Sequence, residues 1–409
     1  MEVCLDRNDA VSSEFKGFAE KPDQTSSLCN LCVLCASVVE KSFVKNNHRD
    51  TEDTEVAQRN QTFRAKRVQA LACLKRNNNL KVETLNIAIY MSLPTFADIV
   101  TAREFIAPYL RKTPLIRVRV LSDLLDCDYY AKLENLQPVG AFKVRGGVNI
   151  VGTASDEERR RGLVAASTGN HGQSIAYAGQ LFSTRVIIYA PAENVNQSKV
   201  QAMRELGAEV RLHGRDFDEA RQECERVAAA EGFRYIHSAN EPKLIAGVGT
   251  IGLEIFEDMA QVDAIIVPAG GGSCAAGNCL VANELNPNVR VIAVQSEAAP
   301  AMWHAWRNHS LEPYPTMKTE HEGLATRVPF EMTNKILWEL LSDFVLVTDG
   351  EINDAVKLLA QYAKQVTEGA GAASLAAAVK LRETLKGKKV VGVVSGGNLP
   401  LARFAELIR

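Results

Sequence analysis

Long hydrophobic runs are missing from this sequence. The longest uncharged apolar stretch near the N-terminus, Leu28 to Val39, is shorter than the roughly 20 residues of a membrane-spanning helix. It lies behind several acidic residues and far from the start, unlike a secretory signal. An excess of one charge is missing too. Lys and Arg number 47 against 49 Asp and Glu, a formal net charge of −2, which excludes a global attraction to nucleic acid or to an anionic membrane. Cysteine is sparse for a disulfide scaffold, nine in 409 residues, so a reducing, cytoplasmic setting is expected. Cys29, Cys32 and Cys35 cluster, but a fourth ligand at zinc spacing is missing and His48 is distant, so no metal site is expected there. No internal repeat is visible.

What is present is the composition of a soluble globular chain, 46% hydrophobic and 23% charged. Residues 1–90 read as an N-terminal extension, rich in Asn, Ser, Thr and mixed charge, and expected to be disordered apart from a marginal helix near Arg64 to Lys75. The basic run Arg64 to Arg67 reads as a solvated face. The pattern changes at Met91, a candidate start of translation, and apolar residues from Phe96 to Ile106 recur at helical spacing. Apolar runs then read as buried strands at Val164–Ala166, Val186–Tyr189, Ala264–Val267, Val291–Val294 and Val390–Val394. Helical patterns fall between several of them, at Asp216–Glu231, Leu244–Met259 and Glu351–Lys364. Such alternation implies an α/β fold with mostly parallel sheets and helices on both faces. Ligands on these sheets sit at the carboxyl ends of strands.

Four segments carry chemistry. In Gly140-Ala141-Phe142-Lys143-Val144-Arg145-Gly146-Gly147, a lysine stands beside an aromatic ring and flanking glycines. A partly desolvated lysine has a lowered pKa and forms imines. Ser167-Thr168-Gly169-Asn170-His171-Gly172 joins a strand to a helix start, whose free N–H groups and dipole suit a carboxylate. Gly270-Gly271-Gly272-Ser273-Cys274 also joins strand to helix, and consecutive glycines let the backbone wrap a phosphate. It is not a nucleoside-triphosphate loop, which ends in Gly-Lys-Ser/Thr. Ser395-Gly396-Gly397-Asn398 ends the last strand with a hydroxyl available to a buried acceptor.

In this order the four segments resemble the fold-type II pyridoxal-phosphate enzymes, and among them the threonine/serine dehydratases (threonine ammonia-lyases) and serine racemases. The resemblance runs from about Met91 to the end. It implies a two-lobed fold similar to tryptophan synthase β. A large cofactor-binding domain would comprise residues 91–164 and 242–409, and a small domain residues 165–241. It implies pyridoxal 5′-phosphate joined to Lys143, which would also take the Cα proton. Phe142 and Gly323 would flank the ring, and Gly270, Gly271, Gly272 and Ser273 would cradle the phosphate. Ser395 would bond the ring nitrogen and Asn170 the ring 3′-oxygen. Ser167, Thr168, Gly169 and His171 would surround the substrate carboxylate, with Ser167 as a second catalytic group on the opposite face. The implied activity is conversion of L-threonine, and L-serine, to a 2-oxo acid and ammonia, by a homo-oligomer (dimer or tetramer) without nucleic-acid or membrane partners. The alternatives are a serine/threonine racemase, a dehydratase for another hydroxylated amino acid such as a hydroxyectoine-derived one, and a non-catalytic binding protein.

Departures from the family pattern matter as well. Ser273 and Cys274 stand where a glycine and an aliphatic residue are common, and Ala141 where a serine is common. In Val294 to Ala301, Gln295 and an alanine stand where racemases carry cation-binding carboxylates, so no divalent-cation site is expected. Lys143-Val144-Arg145 differs from the Lys-Asp-Arg of threonine synthases. The chain stops soon after Asn398, so feedback by isoleucine through a C-terminal regulatory domain is not expected. Gly247-Val248-Gly249-Thr250-Ile251-Gly252 matches a dinucleotide fingerprint but follows no clean strand, and reads as close helix packing.

Overall fold

A computed structural model describes residues 93–193 and 196–409. The Cys29 to Cys35 cluster, the basic run, the helix expected over residues 64–75 and Met91 lie outside the described residues. The strands are β1 (Leu115–Arg117), β2 (Asp128–Leu133), β3 (Leu163–Ala166), β4 (Val186–Ala190), β5 (Glu209–Leu212), β6 (Arg234–Tyr235), β7 (Ala264–Pro268), β8 (Arg290–Ser296), β9 (Asp343–Val347) and β10 (Lys389–Val394). The longer helices are α1 (Phe96–Ile106), α2 (Lys143–Gly152), α3 (Asn170–Leu181), α4 (Gln197–Glu205), α5 (Phe217–Glu231) and α6 (Pro242–Asp258). They continue with α7 (Ser273–Leu285), α8 (Ala301–Asn308), α9 (Glu331–Leu340), α10 (Asp349–Leu358) and α11 (Gly369–Lys380).

Local chemistry sets many of these bounds. Thr95 and Asp98 form a capping box, with Asp98 Oδ2 accepting the Thr95 N–H at 2.7 Å, and α1 starts at the next residue. Asp216 caps α5, which ends at Gly232 in the left-handed region, φ 73°. Pro242 takes the first position of α6, where its missing N–H is harmless. Every residue of β7 is buried, and β7 pairs in parallel with β8 on one side and β10 on the other. A strand covered on both faces reads as the continuous apolar run seen in the sequence.

Two sheets result, with strand orders β1-β2-β10-β7-β8-β9 and β5-β4-β3-β6. All neighbours are parallel except β1 with β2. The four-stranded sheet begins at Leu163, so β3 crosses the boundary drawn at residues 164 and 165. Strands β1, β2, β5, β6 and β9 escape the sequence reading. In β2 the buried Lys132 interrupts the apolar run, and β6 is only two residues long. The helix expected to Lys364 leaves α geometry after Leu358 and finishes as a π turn, Leu359–Ala363. The dinucleotide-like glycines lie inside α6, where a Cβ on Gly247 would stand 2.6 Å from the Arg145 carbonyl oxygen. Gly247 lets α6 approach α2, while Gly249 faces Ile99 of α1 and Gly252 faces Val281 of α7. Among the described residues no helix is long and apolar enough to cross a membrane.

Candidate active site

The segments leaving β3, β7 and β10 converge on the start of α2. Phe142 donates its N–H to the Ser395 carbonyl at 3.0 Å, and Ala141 bridges Gly396, so Lys143 is tied to the end of β10. Its Nζ lies 3.4 Å from Ser273 Oγ, 3.4 Å from the Ser238 carbonyl and 5.1 Å from the Phe142 ring centroid. No carboxylate pairs with it among the described residues. Burial without a compensating anion pushes the amine down to about 8.

Ser273 opens α7 directly after the glycine loop. Gly272 has φ 82°, and a Cβ on Gly270 would collide with the Gly323 carbonyl oxygen. The N–H groups of residues 270–275 meet no acceptor among the described residues. Together with the N-terminal dipole of a 13-residue helix, they form an anion site beside an uncharged-capable amine. That donor set fits a phosphate-bearing aldehyde.

The loop after β3 is organised by Ser167. Its Oγ accepts the N–H groups of Gly169 at 3.1 Å and Gly172 at 2.8 Å, and it faces the Gly169 carbonyl at 3.4 Å. The hydroxyl expected to act on substrate thus also shapes the loop. The N–H groups of Thr168, Asn170 and His171 are left at the start of α3. His171 is buried, and burial followed by the neighbouring Lys143 depresses its pKa to about 3, so the ring is neutral. Its Nε2 stands 3.4 Å from the Ile236 carbonyl, while Nδ1 has no partner.

Gly323 sits in a short 3-10 turn, Glu322–Leu324, packed on α11, where an added Cβ would approach Ala370 Cβ at 2.6 Å. Lys199 of α4 reaches across to Glu322 at 2.6 Å. Ser395 Oγ donates to the Ala370 carbonyl at 3.1 Å, so it must turn to donate to a ring nitrogen. Asn170 Nδ2 donates to Glu368 at 2.6 Å, and its Oδ1 accepts from Asn398 Nδ2 at 2.8 Å. Contacts thus link Lys143 to Ser273, Phe142 to Ser395, Gly270 to Gly323, and Asn170 to Glu368 and Asn398. Glu368 was not among the residues named from the sequence. Its only signal is a lone carboxylate heading the small-residue run Gly369-Ala370-Gly371-Ala372.

At the end of β8, Gln295 is fully buried. Its Oε1 accepts the Met302 and Trp303 N–H groups at 3.1 and 3.2 Å, and its Nε2 donates to the Leu324 carbonyl at 3.3 Å. The amide joins the start of α8 to the turn carrying Gly323. Among the described residues, one group stands close enough to share a cation: Glu320, His321 and Asp349. Its carboxylates are already taken. Asp349 accepts from Ser296 at 2.6 Å and Thr319 at 2.8 Å, and Glu320 accepts from Asn353 and Arg403, both at 2.6 Å.

Behind Lys143, Arg145 grips two carboxylates with its whole guanidinium: Glu134 at 2.7 and 2.8 Å, and Glu254 at 2.7 Å twice. Lys132 adds a bond to Glu254 at 2.6 Å. All four side chains are essentially inaccessible. Burial opposes each charge, but Glu134 and Glu254 outweigh it at Arg145 and raise its pKa.

The chain is similar to known proteins over most of its length. Residues 106–396 match the family model described as pyridoxal-phosphate dependent enzyme. The chain is 39% identical over 314 residues to the L-threonine ammonia-lyase of Thermotoga maritima, covering 77% of this chain and 78% of that one. It is 38% identical over 329 residues to the catabolic L-threonine dehydratase of Staphylococcus aureus, covering 80% of this chain and 94% of that one. The solved structure of maize serine racemase superposes with a TM-score of 0.74 at 28% identity, covering 78% of this chain and 97% of that one.

Proposed function

Since the chain belongs to the pyridoxal-phosphate dependent enzymes and is a relative of the threonine ammonia-lyases, we propose that it removes water and then ammonia from L-threonine, and from L-serine, to leave a 2-oxo acid. The observation that carries this reading is Lys143. It is a half-buried amine with no ion pair among the described residues, 3.4 Å from the residue that follows the glycine loop.

When bound, the cofactor supplies an electron sink for the substrate Cα. The remaining work falls to this chain. Lys143 Nζ would hold the cofactor, and as a free amine it would take the Cα proton. A pKa near 8 suits both tasks, because an appreciable fraction is neutral near pH 7. The N–H groups of residues 270–275 and the Ser273 hydroxyl grip the phosphate. Phe142 and Gly323 would flank the cofactor ring. The N–H groups of Thr168, Asn170 and His171 orient the substrate carboxylate, and neutral His171 leaves their dipole uncontested. Ser395 would be an uncharged neighbour for the cofactor's ring nitrogen, and holds no charge there.

Elimination rather than racemisation is supported by the threonine ammonia-lyase and dehydratase relatives. Racemisation needs a proton carrier on the second face of Cα; Ser167 accepts two backbone N–H groups but keeps its own proton, and Thr168 offers a hydroxyl beside it. A keto-acid assay across L-threonine, L-serine and their stereoisomers, with and without chelator, tests the proposal. Release of 2-oxo acid from L-threonine, unaffected by chelator, is expected. Inversion of optical rotation without keto-acid release would assign the chain to the racemases instead.

A second test follows from the amine itself. The rate of cofactor attachment to cofactor-free protein is expected to rise with pH around a midpoint near 8, since only the neutral amine attacks an aldehyde. The folded amine binds its proton less tightly than the unfolded one. Its contribution to stability therefore grows as pH rises from about 8 toward 10.5. A rate still climbing above pH 10 contradicts the lowered pKa.

A further inference from the structure

Two carboxamides and one carboxylate form a chain across the cleft that the proposed chemistry does not use. We infer that Glu368 is a positioning residue which, with Asn398, fixes the Asn170 amide so that one N–H remains directed at the cofactor's ring oxygen. This rests on the reading of the site as a pyridoxal-phosphate site.

The hydrogen-bond directions leave one arrangement. Asn398 Nδ2 has two hydrogens, and they go to the Val139 carbonyl at 2.9 Å and to Asn170 Oδ1 at 2.8 Å. The oxygen of the Asn170 amide must therefore face Asn398, and its nitrogen faces Glu368 Oε1 at 2.6 Å. Turning the amide over would set donor against donor at one end and acceptor against acceptor at the other. With one hydrogen on Glu368, Asn170 Nδ2 keeps exactly one more, and α3 has no other claim on it.

Glu368 is itself immobilised. It is the residue before α11, its N–H donates to the Gly396 carbonyl at 3.2 Å, and its carbonyl accepts from Gly371 at 2.9 Å and Ala372 at 3.2 Å. A Cβ on Gly396 would strike Glu368 Oε1, so the carboxyl lies flat on that glycine. The groups facing it are Asn170 from α3, Lys199 from α4, and Glu322 from the turn before Leu324. Burial raises its proton affinity, and Lys199 and the Asn170 bond work against that rise. When ionised it accepts only, which is what holding a donor in one orientation requires.

The test uses full-length protein loaded with pyridoxal phosphate. The wild type must first develop the visible band of a lysine-linked cofactor, trappable with borohydride. Failure there removes the reading of the site, whatever Glu368 does. A donor on the ring oxygen competes with the linkage proton for that oxygen. Losing it should raise the pH midpoint of the band by about one unit, the worth of one net hydrogen bond. Glu368→Ala is expected to keep the borohydride-trappable linkage and show that rise. Glu368→Gln, which still offers an acceptor oxygen to Asn170, should return the midpoint to within a few tenths of wild type. Asn398→Asp places an acceptor against Asn170 Oδ1 and should shift the midpoint in the same sense as Glu368→Ala. It keeps the question open to disproof should the alanine variant not fold. An unmoved midpoint in loaded Glu368→Ala or Asn398→Asp overturns the inference. So does an equal shift in Glu368→Gln and Glu368→Ala, because charge alone, not orientation, would then be responsible.

Discussion

Lys143→Ala is expected to lower 2-oxo acid release from L-threonine by about four orders of magnitude or more, the scale of deleting a residue that serves as both nucleophile and base. The visible band and the borohydride adduct at position 143 should vanish with it. Fold stability should change little, because Nζ makes only two bonds of 3.4 Å and no ion pair among the described residues. Lys143→Arg is the sharper comparison. It keeps a positive charge and length, but a guanidinium does not deprotonate in proteins and forms no imine. Both variants should therefore fail alike, while thermal melts stay near that of the cofactor-free parent. Substantial activity in either one, measured by keto-acid release, would mean that the chemistry does not run through this amine.

Arg145→Met should cost about 3–5 kcal/mol of stability, the penalty for leaving buried charge unpaired. The balance is two cations against two carboxylates, all at or below 1% exposure. Removing Arg145 strands Glu134 and leaves Glu254 with Lys132 alone. Arg145 lies two residues beyond Lys143 on α2, so relaxation of this cluster also moves the start of the helix that presents the amine. Arg145→Lys should fall between wild type and Met, because an ammonium lacks the planar fork that meets two carboxylates at once. Urea unfolding midpoints measure the series, and a loss below about 1 kcal/mol for Arg145→Met would count against the account. The same cluster gives a pH dependence. Burial alone would raise the Glu254 pKa, but Arg145 and Lys132 outweigh it and hold the group below its ordinary value. Its contribution is present above the ordinary carboxylate pKa and is lost as pH falls below it.

Much of the fold was legible because parallel strands buried on both faces leave unbroken apolar runs, as at Ala264–Val267 and Val390–Val394. Strand β2 was not legible, because Lys132 sits in it as a buried ion, and its partner Glu254 lies 122 residues away. The edge strands β1, β5 and β6 are two to four residues long and carry no period. The glycine loop, the Ser167 loop and Lys143 were legible for a related reason. Each joins a strand to a helix start, and glycine, serine and lysine there have few purely structural uses. Ser167 is the instructive exception. Its type and place suggested a proton carrier, and its hydroxyl also accepts two backbone N–H groups of its own loop.

By itself, then, the sequence determined the family, and it named the lysine and the backbone loops proposed to hold the cofactor and its phosphate, because those signals reside in contiguous residues. Only the tertiary structure decided which side chains set the orientation and charge of that machinery. Asn170 meets Glu368 and Asn398 from positions 198 and 228 residues away, and Arg145 meets Glu254 from 109 residues away. A hydrogen bond depends on distance and direction in space, and no local pattern records a partner so remote along the chain.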